Sequence, residues 1–226
     1  MMDERDVWDR IGESDPYCGT GGPTRAVPRI GKFAKPDTAL LTMVGNEQMV
    51  LDVGCGYGRN SIPIFNRNHN TLACDVSLSM SQTVRMAKIP FILCDIHHLP
   101  FRDKSIDCLV CSHVLQHVRR KEIGLILAEL RRIAKRSLIV IPNPIGIASF
   151  FGLKSALHFV AMLGDRNGRR ISEDIPAFRG YVVNYYMPWI FSSLVKRFFE
   201  NVEMTPGITA EKLPPYLTNS LVYICS

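Results

Sequence analysis

The fold class predicted by this 226-residue sequence is α/β: a doubly wound, mostly parallel sheet. Two observations carry the prediction. From residue 48 to about 141, short apolar runs alternate with segments of helical periodicity, the rhythm of strand–helix–strand units. The first of those runs ends in an acid and a valine and then breaks into GCGYGRN, with glycines at alternate positions. In an open parallel sheet, ligands bind outside the carboxyl ends of the strands, and this is where a backbone free of side chains is useful.

The first 47 residues read as an amphipathic helix, a Gly/Pro-rich loop (YCGTGGPTRAVP) and a short helix from about Thr38 to Val44. QMVLDV is the first strand, ending at Val53. The helix after it begins near Arg59, with Pro63 close enough to the first turns that its missing N–H does little harm. NTLACD is the second strand and stops at Asp75. VSLSMSQTVRMA gives the next helix, with Ser77 as its cap. PFILCD is the third strand, bounded by Pro90 and ending at Asp95, and SIDCLVCS is the fourth.

Ile123, Ile126, Leu127, Leu130 and Ile133 then recur at three- and four-residue spacing opposite a charged face, which predicts an amphipathic helix packed on the sheet. SLIVIP is a fifth strand, aliphatic enough to be buried on both faces and ended by Pro142 and Pro144. Past 145 the rhythm breaks into an apolar helical segment (145–163) and a polar loop (164–180) containing the turn GDRNGRR. A helix in PWIFSSLVKRFF and two strands, NVEMTPG and NSLVYICS, complete the chain. The whole reads as one domain: an N-terminal cap (1–47), a ligand-binding core (48–144), an insertion (145–187), and a C-terminal helix with strands (188–226).

Composition narrows the function. Hydrophobic residues make up 46% and charged residues 21%, so a sizeable core can be buried. The net charge of +6 is scattered over Arg119–Lys121, Arg131–Arg136, Arg166–Arg170 and Lys196–Arg197, a pattern of solvated helix faces that puts a small-molecule partner ahead of nucleic acid. The seven cysteines lie mostly in apolar runs, as buried thiols in a reducing cytoplasm do. Cys108 and Cys111 sit on one strand, where residues three apart face opposite ways, so they read as packing residues and not as a redox pair. No signal peptide is expected, and the 145–163 segment is too interrupted for a membrane span. A cytoplasmic location without stable membrane insertion follows, with the segment left open as lid, core or membrane-contacting element.

Acids at the strand ends sharpen the glycine signal. Asp75 closes the second strand 17 residues after Gly58, where a carboxylate can accept hydrogen bonds from both hydroxyls of a ribose. Asp95 closes the third, where it can accept from an exocyclic amine while Ile96 packs on a purine. Three strand ends thus converge on one nucleoside.

With DVGCGYG at 52–58, ACDVS at 73–77, LCDIHHLPFRDKSIDCLVCSHVLQHV at 93–118 and AELRRIAKRSLIVIPNP at 128–144, the chain resembles the class I S-adenosylmethionine-dependent methyltransferases, in particular the methyltransferase type 11 group. The resemblance implies a Rossmann-like, seven-stranded sheet whose last strand is antiparallel, with SLVYICS as that strand. It implies that Asp52 orders the glycine loop and reaches the cofactor's amino group, and that Gly54, Cys55 and Gly56 line its methionine moiety. Asp75 would hold the ribose, Val76 would flank the adenine, and Asp95 and Ile96 would recognise the adenine and its amino group. Ser112 and His113 would face the methionine end and mark the entrance to the acceptor pocket. AKRS stands where the group often has Pro-Gly-Gly, which loosens the subgroup but not the cofactor.

Other residues have plainer readings. His97 and His98 diverge and lack a ligand cluster, so no metal is expected. His113 and His117, four apart as a helix begins, would share a face near the pocket, so either is a candidate general base or a capping and packing group. Asp107 begins the fourth strand on the side away from the cofactor and is structural. Tyr17, Tyr185 and Tyr186 either wall the pocket or pack. The expected activity is methyl transfer from S-adenosylmethionine to a small-molecule or lipid-like acceptor. The alternatives are an RNA or tRNA methyltransferase and a non-catalytic partner subunit that binds the cofactor.

Overall fold

The computed structural model describes residues 4–14, 38–45, 49–144, 169–170, 182–207 and 220–226. Seven strands form the main sheet: β1 (Val50–Val53), β2 (Thr71–Asp75), β3 (Phe91–Leu93), β4 (Ile106–Ser112), β5 (Ala134–Pro142), β8 (Val202–Pro206) and β9 (Ser220–Cys225). Their order across the sheet is β3-β2-β1-β4-β5-β9-β8. The first five are parallel, and β9 runs antiparallel to both its neighbours. Arg169–Arg170 (β6) pairs with Val182–Val183 (β7) in a separate two-stranded ribbon, so part of the predicted 164–180 loop is extended.

Strand parity builds two cores. Leu51, Val53, Leu109, Cys111, Ile139, Ile141, Leu221 and Tyr223 face one side. There they meet α5 (Ile123–Ile133), whose five periodic aliphatics are all buried, and α6 (Pro188–Val195) through Phe191 and Val195. Val50, Cys108, Val110, Leu138, Val140 and Val222 face the other side, against Leu40 and Leu41 of α2 (Thr38–Met43) and Ile64 of α3 (Ser61–Phe65). Cys108 and Cys111 thus lie on opposite faces, as their spacing requires.

Some boundaries move. The helix after β2, α4, is only Gln82–Met86, and its N-cap is Ser81. Ser77 closes the turn before it instead, its Oγ accepting from Met80 N at 3.1 Å, because serine hydroxyls compete with helical hydrogen bonds. Strand β3 stops at Leu93, so Asp95 lies two residues beyond it. Strand β5 starts at Ala134, directly after α5. Lys104 makes this join possible without a loop: its backbone N–H donates to Arg132 O, and its Nζ donates to Arg131 O and Ala134 O, satisfying the last helical carbonyls. Asp107 accepts from Met49 N at 2.9 Å and pairs with Lys135 at 2.6 Å, the structural role expected of it. The 145–163 segment and Tyr17 lie outside the described residues.

Candidate active site

The glycine loop leaves β1 in left-handed backbone, with φ of +68° at Gly54, +49° at Gly56 and +80° at Gly58. A Cβ on Gly54 would run into the Val114 side chain, so the turn is closed from behind by the residue chain that leaves β4. At Gly56 a Cβ would meet only Met80 Cε, at 3.7 Å, so the loop is open on that side. The Gly56 N–H is fixed by Asp75, whose Oδ2 accepts it at 2.8 Å while Oδ1 accepts from Ser77 N at 2.9 Å. A carboxylate offers about four acceptor positions, so Asp75 keeps acceptor capacity beyond its backbone donors Gly56, Ser77 and Val76. Burial raises its pKa against these backbone bonds.

Asp52 is 2% exposed on β1 beneath this loop, with Oδ2 accepting from Ser61 Oγ at 2.5 Å. Burial pushes its pKa up to about 6, opposed by the Ser61 bond and the nearby Arg59 guanidinium. Asp95 is differently placed. Its Oδ1 receives His97 N–H at 2.9 Å and lies 2.6 Å from His97 Nδ1. Burial pulls its pKa upward, but the bonds and charge of His97 outweigh that and hold it below the usual carboxylate range. His97 also stands 3.6 Å from Glu122. Among the described residues no group of three or more His, Cys, Asp or Glu is arranged to hold a metal.

At the end of β4, His113 has φ +58° and donates its N–H to Val140 O at 2.9 Å. The shared helical face predicted for His113 and His117 therefore does not form. A left-handed residue interrupts the chain, and His117 falls in a 3-10 turn, Leu115–His117. Burial, reinforced by Arg59 and His117, lowers the His113 pKa to about 4, so its ring is neutral at pH 7 and a weak base. The His117 ring stands edge-on to Trp8 at 5.0 Å.

Three contributors carried no role in the sequence reading. Arg59, the last residue but one of the quoted glycine stretch, donates from Nη2 to Ser112 Oγ at 3.0 Å and links the β1 and β4 exits. From α1 (Glu4–Ser14), Asp9 Oδ1 accepts from Ser77 Oγ at 2.5 Å and from Ser79 Oγ at 2.9 Å, next to the Asp75 turn. Trp8 comes from the same helix, whose Val7 and Ile11 pack on Met80, with Tyr57 and Tyr185 alongside. The amphipathic pattern of α1 was legible, but nothing in it points across about 70 residues to Ser77 and Ser79. Tyr186 is a packing residue, 7% exposed and 5.3 Å from the Phe191 ring.

Sheet order, strand polarity and the loop geometry define the class: this is the class I S-adenosylmethionine-dependent methyltransferase fold, and residues 51–141 match the methyltransferase-domain family. Among solved structures, magnesium protoporphyrin IX methyltransferase from Synechocystis PCC 6803 with bound SAH superposes with a TM-score of 0.61 at 18% identity, covering 98% of each chain. An uncharacterised protein of Methanocaldococcus jannaschii is 37% identical over 98 residues, 42% of this chain and 41% of its own length. The Bos taurus protein named "Probable tRNA methyltransferase 9B" is 23% identical over 143 residues, 63% of this chain and 28% of its own length. The chain thus spans less than half the length of either of these curated relatives.

Proposed function

We propose that the protein binds S-adenosylmethionine across the ends of β1, β2 and β3 and transfers its methyl group to a small-molecule or lipid-like acceptor at the β4 exit. The carrying observation is Gly56, whose backbone is held by Asp75 with its side-chain direction open. In this reading Asp52 and the backbone of Gly54, Cys55 and Gly56 face the methionine portion. Asp75 holds the ribose, Val76, Asp95 and Ile96 border the adenine, and Ser112 and His113 flank the methyl-bearing end.

When bound, the cofactor supplies a sulfonium that is already a strong methyl donor. The chain's contribution is then alignment and exclusion of water, which are worth about 7 kcal/mol or more when two reactants are held in line. Buried Asp52 places negative charge beside the methionine portion above pH 6, and Arg59 keeps the two strand exits in register through Ser112. Neutral His113 can accept a hydrogen bond but is poorly matched to remove a proton at pH 7, which favours an acceptor that is nucleophilic without help. The six described cysteines are free, which suits a reducing compartment such as the cytoplasm.

Methyl-labelled S-adenosylmethionine incubated with the protein and fractionated cell extract tests the reading. Label in small metabolites or lipid is expected. Label in RNA moves the acceptor to the alternative class, and no label together with no binding of S-adenosylhomocysteine by calorimetry overturns the enzyme reading.

A further inference from the structure

Helix α6 shows solvent a face that its packing does not explain. Phe191 and Val195 turn inward and are fully buried, while Trp189 and Ile190 are 62% and 55% exposed. At 100° per residue, carried into the helical turn 196–198 that follows α6, 189, 190, 193, 196 and 197 share one side, and the remaining three are exposed Ser193, Lys196 and Arg197. One side of a two-turn stretch therefore carries an aromatic and a branched aliphatic at one end and two cations at the other. More positive charge stands beside the segment that leads into α6. Arg120 donates from Nη2 to Tyr185 O at 3.3 Å and its guanidinium lies 5.8 Å from the Tyr186 ring centroid, next to exposed Lys121. Among the described residues, the acids near this face are engaged: Glu122 faces Arg119 at 3.9 Å, Glu200 faces Arg131 at 3.3 Å, and Asp103, in the same cleft as Lys196 and Arg197, pairs with Arg132 at 2.7 Å.

We infer that this face of α6 docks on an anionic phospholipid surface. A tryptophan and an isoleucine flanked by lysine and arginine have the composition of interfacial elements, in which apolar side chains enter the headgroup boundary and cations meet lipid phosphates. An isoleucine offers a single-stranded nucleic acid neither charge nor a stacking face, and the net charge of +6 adds long-range attraction to an anionic lipid surface. No helix among the described residues is long and apolar enough to cross a membrane, so contact is peripheral. Tyr185 and Tyr186 lead into α6, and Asn184 just before them donates its N–H to Gln116 O at 2.6 Å in the β4-exit turn. The docked face is thus joined to the proposed acceptor entrance. Docking stands on the surface alone; delivery of a membrane-borne acceptor rests in addition on the proposed function.

Sedimentation of the full chain with vesicles tests docking. Vesicles of phosphatidylcholine with phosphatidylglycerol should bind, vesicles of phosphatidylcholine alone should bind far less, and added salt should release the protein. Tryptophan emission should shift to the blue on the anionic vesicles, and the shift should vanish in Trp189→Phe. Lys196→Ala with Arg197→Ala should weaken partitioning about 30-fold, and Trp189→Ser with Ile190→Ser about tenfold or more. Unchanged S-adenosylhomocysteine binding in each variant certifies the fold and separates failure here from failure of the enzyme reading. Absence of vesicle binding, equal binding by the Trp189→Ser/Ile190→Ser variant, or lysine- and arginine-dependent binding to single-stranded RNA without vesicle binding overturns the proposal.

Discussion

Asp52 makes the site's electrostatics measurable. Its carboxyl is raised to about 6 chiefly by burial, so between pH 4 and 6 the folded protein holds a proton that the unfolded chain has released. Stability therefore falls as pH rises through that window, by on the order of 3 kcal/mol, and is flat above it. Asp52→Asn keeps an acceptor for Ser61 Oγ, so its thermal midpoint should gain on the parent's above pH 6 and lose that advantage at pH 4. The parent's affinity for S-adenosylmethionine should rise with pH through about 6, and calorimetry in buffers of different ionisation enthalpy should show proton release on binding. Gly54 gives a steric test: Gly54→Ala adds a clash with Val114 to left-handed strain of about 1 to 2 kcal/mol. Val114→Ala should recover the clash but not the strain, as read by denaturant midpoints.

At the scale of elements, α1 is held on the site side by a few charge-assisted bonds. Asp9→Ala should remove about 2 kcal/mol of docking and speed hydrogen exchange of residues 5–13 roughly 30-fold, while exchange in β4 and β5 stays unchanged. The elements that were legible beforehand are those whose periodicity and burial agree. Strands β1, β2 and β4 and helix α5 each present a run long enough for one pattern to dominate. Helix α4 is shorter than its sequence suggests because its serines bond locally, and the start of β5 at Ala134, ahead of the aliphatic run SLIVIP, is not legible because the polar AKRS stretch carries no strand pattern of its own. Its two basic side chains are in fact paired, Lys135 with Asp107 and Arg136 with Met43 O at 2.8 Å. The left-handed backbone at His113 was not legible at all, since only the bond to Val140 and the surrounding packing select it.

For the whole molecule, binding at the proposed site should appear as global stabilisation. S-adenosylhomocysteine at 100 times its Kd adds about 2.7 kcal/mol, which for a chain of this size is a rise in thermal midpoint of roughly 5 to 10 °C. Asp75→Ala should abolish that rise, because it removes the proposed ribose acceptor and frees Gly56 N–H together. The parallel strand–helix rhythm was readable from the order of apolar runs, and the seven-stranded sheet with its antiparallel last strand from the family resemblance, whereas the meeting of α1, the glycine loop and the β4 exit was not, since it depends on contacts between distant segments.

The position of β9 sets an order of events in chain assembly. It lies between β5 and β8 although it follows both in sequence, and Tyr223 at its centre donates to Pro188 O at 3.0 Å. As the polypeptide emerges during synthesis, β8 has no ladder to join until β9 has been made. The nascent sheet must therefore wait with β5 as a bare, aliphatic rim, open to chaperones and to mispairing with neighbouring chains.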